Sequence, residues 1–147
     1  MDGQACPLPG KLTTDEAQAI EHMLAARRVA VVGLSDDPSR PSYGVAAYLQ
    51  EQGFEILPVN PSVQEVLGRK SYAALSQIPG PVDVVVVFRR PEHVPEIARQ
   101  AAQIGAKGLW LQSGITSAQA RQTAAQAGMD YVEDRCMKVE HRRRLRG

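Results

Sequence analysis

Four apolar residues, Val29 to Val32, run without a break into Gly33. A polar loop broken by Pro38 and Pro41 then leads to Ser42, where an apolar-periodic segment begins. A short apolar run, a glycine and a helix start form the layout of a turn whose backbone N–H groups face an anion, phosphate above all. Other groups able to hold an anion stand at the ends of the chain's other apolar runs. Asn60, Pro61 and Ser62 follow one, Phe88, Arg89 and Arg90 another, and Gln112, Ser113 and Gly114 a third. The loop after Gly33 adds Leu34, Ser35, Arg40, Ser42 and Tyr43. This set is rich in cations and hydroxyl donors and nearly free of carboxylates, apart from Asp36 and Asp37. It suits an anion carrying several phosphates.

Each group also has a purely structural job open to it. Gly33 can serve the turn alone and Ser42 can be a helix N-cap. Arg89 and Arg90 can be a solvated loop, and Asn60-Pro61 an ordinary turn.

The elements that must position these residues follow from periodicity. Met1 to Leu12 reads as a flexible lead-in. Thr13 and Glu16 have capping-box spacing, and Ala17, Ile20 and Leu24 fall on one helical face, which predicts a helix to about Arg27. Val29–Val32 is the first strand, apolar on both faces as a strand covered on each side requires. The next helix carries Val45, Tyr48 and Leu49 and stops at Gly53. A second strand starts at Phe54, with regular pairing expected to end near Leu57 because Pro58 cannot donate to a ladder. Lys70 to Tyr72 is a candidate short edge strand and Ala73 to Ile78 a brief helix. Val82 to Phe88 is a buried strand. Val94, Ile97, Ala98, Ala101 and Ala102 mark a helix with Pro95 in its first turn. Lys107 to Leu111 is a strand, Thr116 and Gln119 cap an Ala-rich helix ending at Gly128, and Met129 to Glu133 is the last strand. His141 to Arg146 closes the chain as a basic cluster, read as a solvated tail over 142–147.

Strands alternating with helices give an α/β, Rossmann-like doubly wound parallel sheet with helices on both faces and one extra N-terminal helix. The expected order is 3-2-1-4-5-6, with the short strand at Lys70 counted third. Ligands of such sheets sit beyond the strand carboxyl ends where the order reverses, which is where the anion-binding groups collect.

The 147 residues fit one domain, taken here as 13–141. A net charge of +1 argues against a nucleic-acid partner. Cys6 and Cys136 are too few for a disulfide framework and lack metal or redox spacing. There is no run of membrane-spanning length and no signal-peptide pattern, so a cytoplasmic location is expected. The full G-x-G-x-x-G fingerprint is missing, and Asn60 stands where an NAD site needs an acidic residue. His22, His93 and His141 all fall away from the predicted strand end beside the turn, so neither a nucleophile–histidine pair nor a metal-ligand cluster is expected.

Five strings, VAVVGLSDDPSRPSYGVA, ILPVNP, GPVDVVVVFRRPEHVP, GAKGLWLQSGI and DRCMKVEH, together resemble the stand-alone bacterial CoA-binding domain proteins. Those proteins are similar to the nucleotide-binding domain of the succinyl-CoA synthetase α subunit. The resemblance covers nearly everything from Val29 to His141. It implies coenzyme A as ligand, with Gly33, Leu34, Ser35, Ser42 and Tyr43 around its phosphates and Arg40 as counter-charge. Asn60 and Pro61 would line the nucleotide pocket. Phe88, Arg89 and Arg90 would flank the pantetheine or phosphate side, and Gln112 would face the far end, with Lys70 as an addition. Gly44 replaces the arginine usual after Ser-Tyr, which lowers the pocket's positive charge, and Ser113 replaces an apolar residue, which makes the far end more polar.

In the synthetase, catalysis needs a phosphorylated histidine from a further domain and an ATP-grasp partner, for which this chain has no room. The expectation is therefore a CoA or short acyl-CoA binding protein without catalytic machinery of its own. A second copy of the chain or a larger acyl-CoA ligase is the protein partner it leaves open, with the N-terminal helix as docking surface. The alternative is an NAD(P)-dependent enzyme or redox sensor using the same crevice. Cys136, just past the last strand and flanked by Arg135 and Lys138, is either a half-buried structural cysteine or a partner for the CoA thiol in a mixed disulfide.

Overall fold

The computed structural model describes residues 9–145, with side chains from residue 16 onward. Helix α1 spans Pro9–Leu24, followed by strand β1, Arg28–Val32, helix α2, Pro41–Glu51, and strand β2, Glu55–Val59. A two-residue antiparallel hairpin, β3 (Glu65–Val66) and β4 (Arg69–Lys70), comes next. Then follow β5 (Val84–Val87), α3 (Val94–Gln103), β6 (Gly108–Leu111), α4 (Ala118–Ala127), β7 (Asp130–Val132) and α5 (Met137–Leu145).

The main sheet is parallel throughout, in the order β2-β1-β5-β6-β7. This is the expected Rossmann-like order with one change: the outermost strand is reduced to a single parallel bridge between Val59 and Tyr72. Lys70 belongs to the small hairpin instead.

Alternation along each strand divides the core in two, because successive side chains point to opposite faces. Ala30, Val32, Val85, Val87, Leu109 and Leu111 pack with Ile97, Ala98, Ala101, Ala120 and Ala124 of α3 and α4. Val29, Val31, Val84, Val86 and Trp110 pack on the other face with Ala19, Ile20 and Met23 of α1, Ala46 and Leu49 of α2, and Met137 of α5. A strand apolar at every position is thus the direct consequence of being covered twice.

Pairing of β2 continues through Pro58 to Val59, two residues further than the proline suggests. The Pro58 carbonyl accepts from the Tyr72 N–H, and the next outward group, the Asn60 N–H, donates to the Tyr72 carbonyl. The proline nitrogen therefore faces the outer edge, where its missing proton costs no bond to β1.

The ends of the chain also depart from the expected pattern. Helix α1 begins at Pro9, so Thr13 lies inside it and does not cap it; residues 1–8 of the expected lead-in lie outside the described residues. Helix α4 is capped by Ser117, whose hydroxyl accepts from the Ala120 N–H, one residue after the expected Thr116. Residues 142–145 of the expected tail belong to a helix, Met137–Leu145. Buried Glu140 binds Arg135, Arg143 and Arg144 at 3.3, 3.4 and 3.1 Å, which converts a like-charged run into an ion-pair network.

Candidate functional site

The carboxyl ends of β1, β2, β5 and β6 open on one crevice, and Arg89 stands in the middle of it. A polar cavity of about 650 Å³ is lined by Gly33, Asn60, Pro61, Ser62, Arg89, Glu92, His93 and Glu96, among others. A second cavity, of about 510 Å³, is walled by Pro41, Val45, Phe88, Pro91 and Ile115, with Arg89, Arg90, Gln112, Ser113 and Cys136. Among the described residues, Arg89 alone lines both.

Gly33 sits where no other residue fits. Its φ is 89°, and a Cβ there would lie 2.5 Å from the Phe88 carbonyl oxygen and 3.0 Å from Arg89 Cδ. The glycine lets the end of β1 pass against the end of β5, so that the Arg89 stem lies over the turn.

The loop after Gly33 is held by its own polar groups. The Gly33 N–H donates to the Val59 carbonyl at 2.9 Å, and the Ser35 N–H donates to Ser42 Oγ at 3.0 Å. The Asp37 N–H donates to Ser35 Oγ, and Ser39 donates to the Asp37 carboxylate from both its N–H and its hydroxyl. Ser42 is therefore a brace inside the first turn of α2, with Arg40 at the N-cap position. Each serine hydroxyl accepts from one backbone donor and can turn its proton outward to donate, which is the polarity an anion requires. The hydrogen bonds from Ser39 hold the Asp37 carboxyl below its ordinary range, with Arg40 adding to the effect. Arg40 Nε lies 4.0 Å from that carboxylate, so its charge is shared.

Asn60 ties the second strand to this loop. Its Nδ2 donates to the Leu34 carbonyl at 3.0 Å, and its Oδ1 accepts from the Ser62 N–H at 2.9 Å. Leu34 itself is fully buried in the core, and its carbonyl is taken up by Asn60.

Gln112 is 4% exposed, and its Nε2 has no hydrogen-bond partner among the described residues. A buried amide left unsatisfied carries a cost of about 1–3 kcal/mol, so a group that accepts from it is favoured there.

Of the residues singled out in the sequence, Gly33, Asn60, Pro61 and Arg89 line the polar cavity, and Phe88, Arg89, Arg90 and Gln112 line the apolar one. Leu34, Ser35, Arg40, Ser42 and Tyr43 support or flank the loop without lining either cavity. Lys70 is not among the lining residues; its Nζ lies 5.4 Å from the Tyr72 ring centroid, on the hairpin side. Two expectations are corrected. The rim does carry carboxylates, Glu92 and Glu96, and it does hold a histidine, His93. All three follow Arg90 on the 3-10 turn Pro91–His93 and the first turn of α3, so the position just beyond the β5 strand end was the available signal. Cys136 joins the apolar wall, but its flanking cations are engaged elsewhere. Arg135 binds Glu16 at 2.9 Å, which with Glu140 raises its own pKa further, and Lys138 lies 5.5 Å from the Tyr48 ring centroid.

Known proteins of similar sequence and structure share much of this chain. The uncharacterized protein YneT of Bacillus subtilis is 40% identical over 126 residues, covering 86% of this chain and 93% of its own. A hypothetical protein from Pyrococcus horikoshii OT3 superposes with a TM-score of 0.84 at 38% identity, over 88% of this chain and 92% of that one. The alpha subunit of the ADP-forming acetate–CoA ligase II of Pyrococcus furiosus is 33% identical over 91 residues, which are 61% of this chain but only 20% of the subunit. The profile of a family described as CoA binding domain matches residues 27–142. The chain belongs to that CoA binding domain family.

Proposed function

We propose that this protein binds coenzyme A or a short acyl-CoA in the crevice around Arg89 and supplies no catalytic step of its own. The observation that carries the reading is the pair of cavities joined at one guanidinium, a polar one beyond β1 and β2 and an apolar one beyond β5 and β6. A nucleotide, a diphosphate and a long, mostly apolar arm bearing amides have that order of polarity along their length. The diphosphate would sit by Arg89, Ser35 and the start of α2, where N–H groups and the helix dipole favour negative charge. Lining or flanking that position are Gly33, Leu34, Arg40, Ser42 and Tyr43, with Asn60 and Pro61 beside the nucleotide. Phe88, Arg90 and Gln112 would meet the arm, whose amide carbonyls would satisfy the Gln112 Nε2.

The match to the acetate–CoA ligase alpha subunit supports a second element of the reading, service as a CoA-holding partner of a larger ligase. The protein-level test is size-exclusion of the purified chain with candidate ligase chains.

Calorimetry and thermal unfolding with CoA, ADP, NAD and NADP test the ligand. CoA at 100 times its dissociation constant should stabilise the fold by about 2.7 kcal/mol. The reading falls if a nicotinamide dinucleotide stabilises the protein more than CoA does, or displaces it. Native mass spectrometry of freshly purified protein gives an independent identification of any retained nucleotide.

A further inference from the structure

We propose that Cys136 captures the CoA arm covalently by thiol–disulfide exchange, an inference that rests on the binding reading above. Cys136 is half-buried and belongs to the wall of the apolar cavity, opposite no competing cysteine among the described residues. The same wall holds Gln112, only 4% exposed, whose Nε2 has no partner among the described residues. An unpartnered amide donor in a mostly apolar cavity calls for an amide or other acceptor from outside the chain. Pantetheine carries two amides and ends in a thiol. An arm that enters at Arg89 and gives a carbonyl to Gln112 runs on into the cavity that Cys136 lines.

The Cys136 thiol gives its proton to solvent, and the thiolate attacks one sulfur of a CoA disulfide. The S–S bond of that disulfide breaks as the Cys136–S–S–CoA bond forms. The electron pair leaves with the departing thiolate, which takes a proton from solvent as free thiol. The oxidant is the CoA disulfide itself, so no further reagent enters the balance. The adduct is reversed by any small thiol reaching the cavity, and the binding is thereby made sensitive to the thiol–disulfide poise of the surroundings.

The full-length chain, reduced and freed of reductant, is incubated with the symmetric disulfide of CoA, and in parallel with glutathione disulfide. Intact mass is followed without reductant. The expected result is one CoA per chain, removed by dithiothreitol, retained in Cys6→Ser and absent in Cys136→Ser. Formation should be at least about tenfold faster than glutathionylation, because bound CoA presents its sulfur at high effective concentration. Gln112→Ala should narrow that ratio. Failure to form the adduct on Cys136, or equal rates with both disulfides, overturns the proposal. Calorimetry of the wild-type chain with CoA under a phosphine reductant separates the two levels. Reversible binding without an adduct sinks the covalent step alone; absence of reversible binding sinks the ligand assignment beneath it.

Discussion

The side-chain amide of Asn60 donates to the Leu34 carbonyl at 3.0 Å and so locks the end of β2 to the loop that follows β1. In an NAD site this strand end carries a carboxylate for the ribose. Here the position is spent on loop shape. Asn60→Ala leaves the Leu34 carbonyl without that donor and the Ser62 N–H without its acceptor, at a cost of about 1–3 kcal/mol. Asn60→Asp keeps the acceptor for Ser62 but sets a carboxylate against the Leu34 carbonyl. It should therefore be less stable than Asn60→Ala at neutral pH and recover in acid, where the protonated carboxyl can donate. Both variants should lose CoA affinity by calorimetry, and the aspartate should not gain NAD binding. An unaltered CoA affinity in the alanine variant would separate this lock from the ligand.

Gly33 offers a sharper test of the turn. An alanine there must hold φ near 89° and meet the Phe88 carbonyl at 2.5 Å, a backbone atom that cannot swing away. Left-handed strain alone costs about 1–3 kcal/mol in a non-glycine residue, and the contact adds to it. Urea unfolding followed by the fluorescence of Trp110, the chain's single and fully buried tryptophan, should show a lowered midpoint for Gly33→Ala. A midpoint equal to wild type would mean that β1 and β5 can part at this end without cost.

Much of this arrangement was legible in the sequence because it depends on short-range order. Val29–Val32 and Val84–Val87 announce doubly covered strands by composition alone, and Gly33 marks the turn between strand and loop. The residues at strand carboxyl ends, Asn60, Arg89 and Gln112, followed from topology. What stayed hidden depends on direction and on partners far along the chain. Pro58 was misread because strand periodicity does not say which edge its nitrogen faces. Ser42 looked like a cap, and only the folded loop shows its hydroxyl holding the Ser35 N–H. His93 and Glu96 reach the cavity because a 3-10 turn precedes α3, a detail that helical spacing does not encode. The basic C-terminus was read as solvated because its anion, Glu140, lies within the same helix and is buried by contacts the sequence does not display.

Arg89 and Arg90 are adjacent in sequence but not equivalent in place. Arg89 borders both cavities, whereas Arg90 borders only the apolar one. A hydrogen-bonded charge on a diphosphate is worth about 1.5–3 kcal/mol, so Arg89→Gln should weaken CoA binding by roughly tenfold to a hundredfold at low salt. Arg90→Gln should cost clearly less. The salt dependence of CoA affinity should also flatten in Arg89→Gln, since a screened attraction has been removed. Equal losses for the two variants would move the diphosphate away from the junction of the cavities.

Asp83 predicts an acid limit on stability that is independent of the ligand. Its carboxylate accepts from the N–H groups of Arg27 and Arg28, at 3.2 and 2.9 Å, and Lys107 Nζ lies 3.7 Å away. The Arg28 N–H is the main cause holding its pKa below the usual 3.8; the Arg27 N–H and the charges of Lys107 and Arg28 act in the same direction against partial burial. A carboxyl whose pKa falls on folding contributes stability above its unfolded pKa and loses it as pH drops through the folded value. Wild-type protein should therefore lose stability progressively below about pH 5, as paired carboxylates protonate. Asp83→Asn should be less stable by about 1–2 kcal/mol at neutral pH, the order expected for charge-assisted bonds, with the deficit shrinking in acid. Asp83 stands at the amino ends of β1 and β5, across the sheet from Arg89, so CoA affinity at neutral pH should hold in the folded variant. Denaturant titrations at several pH values, paired with calorimetry at neutral pH, check both halves, and a deficit that stays constant into acid would remove the carboxylate from the account.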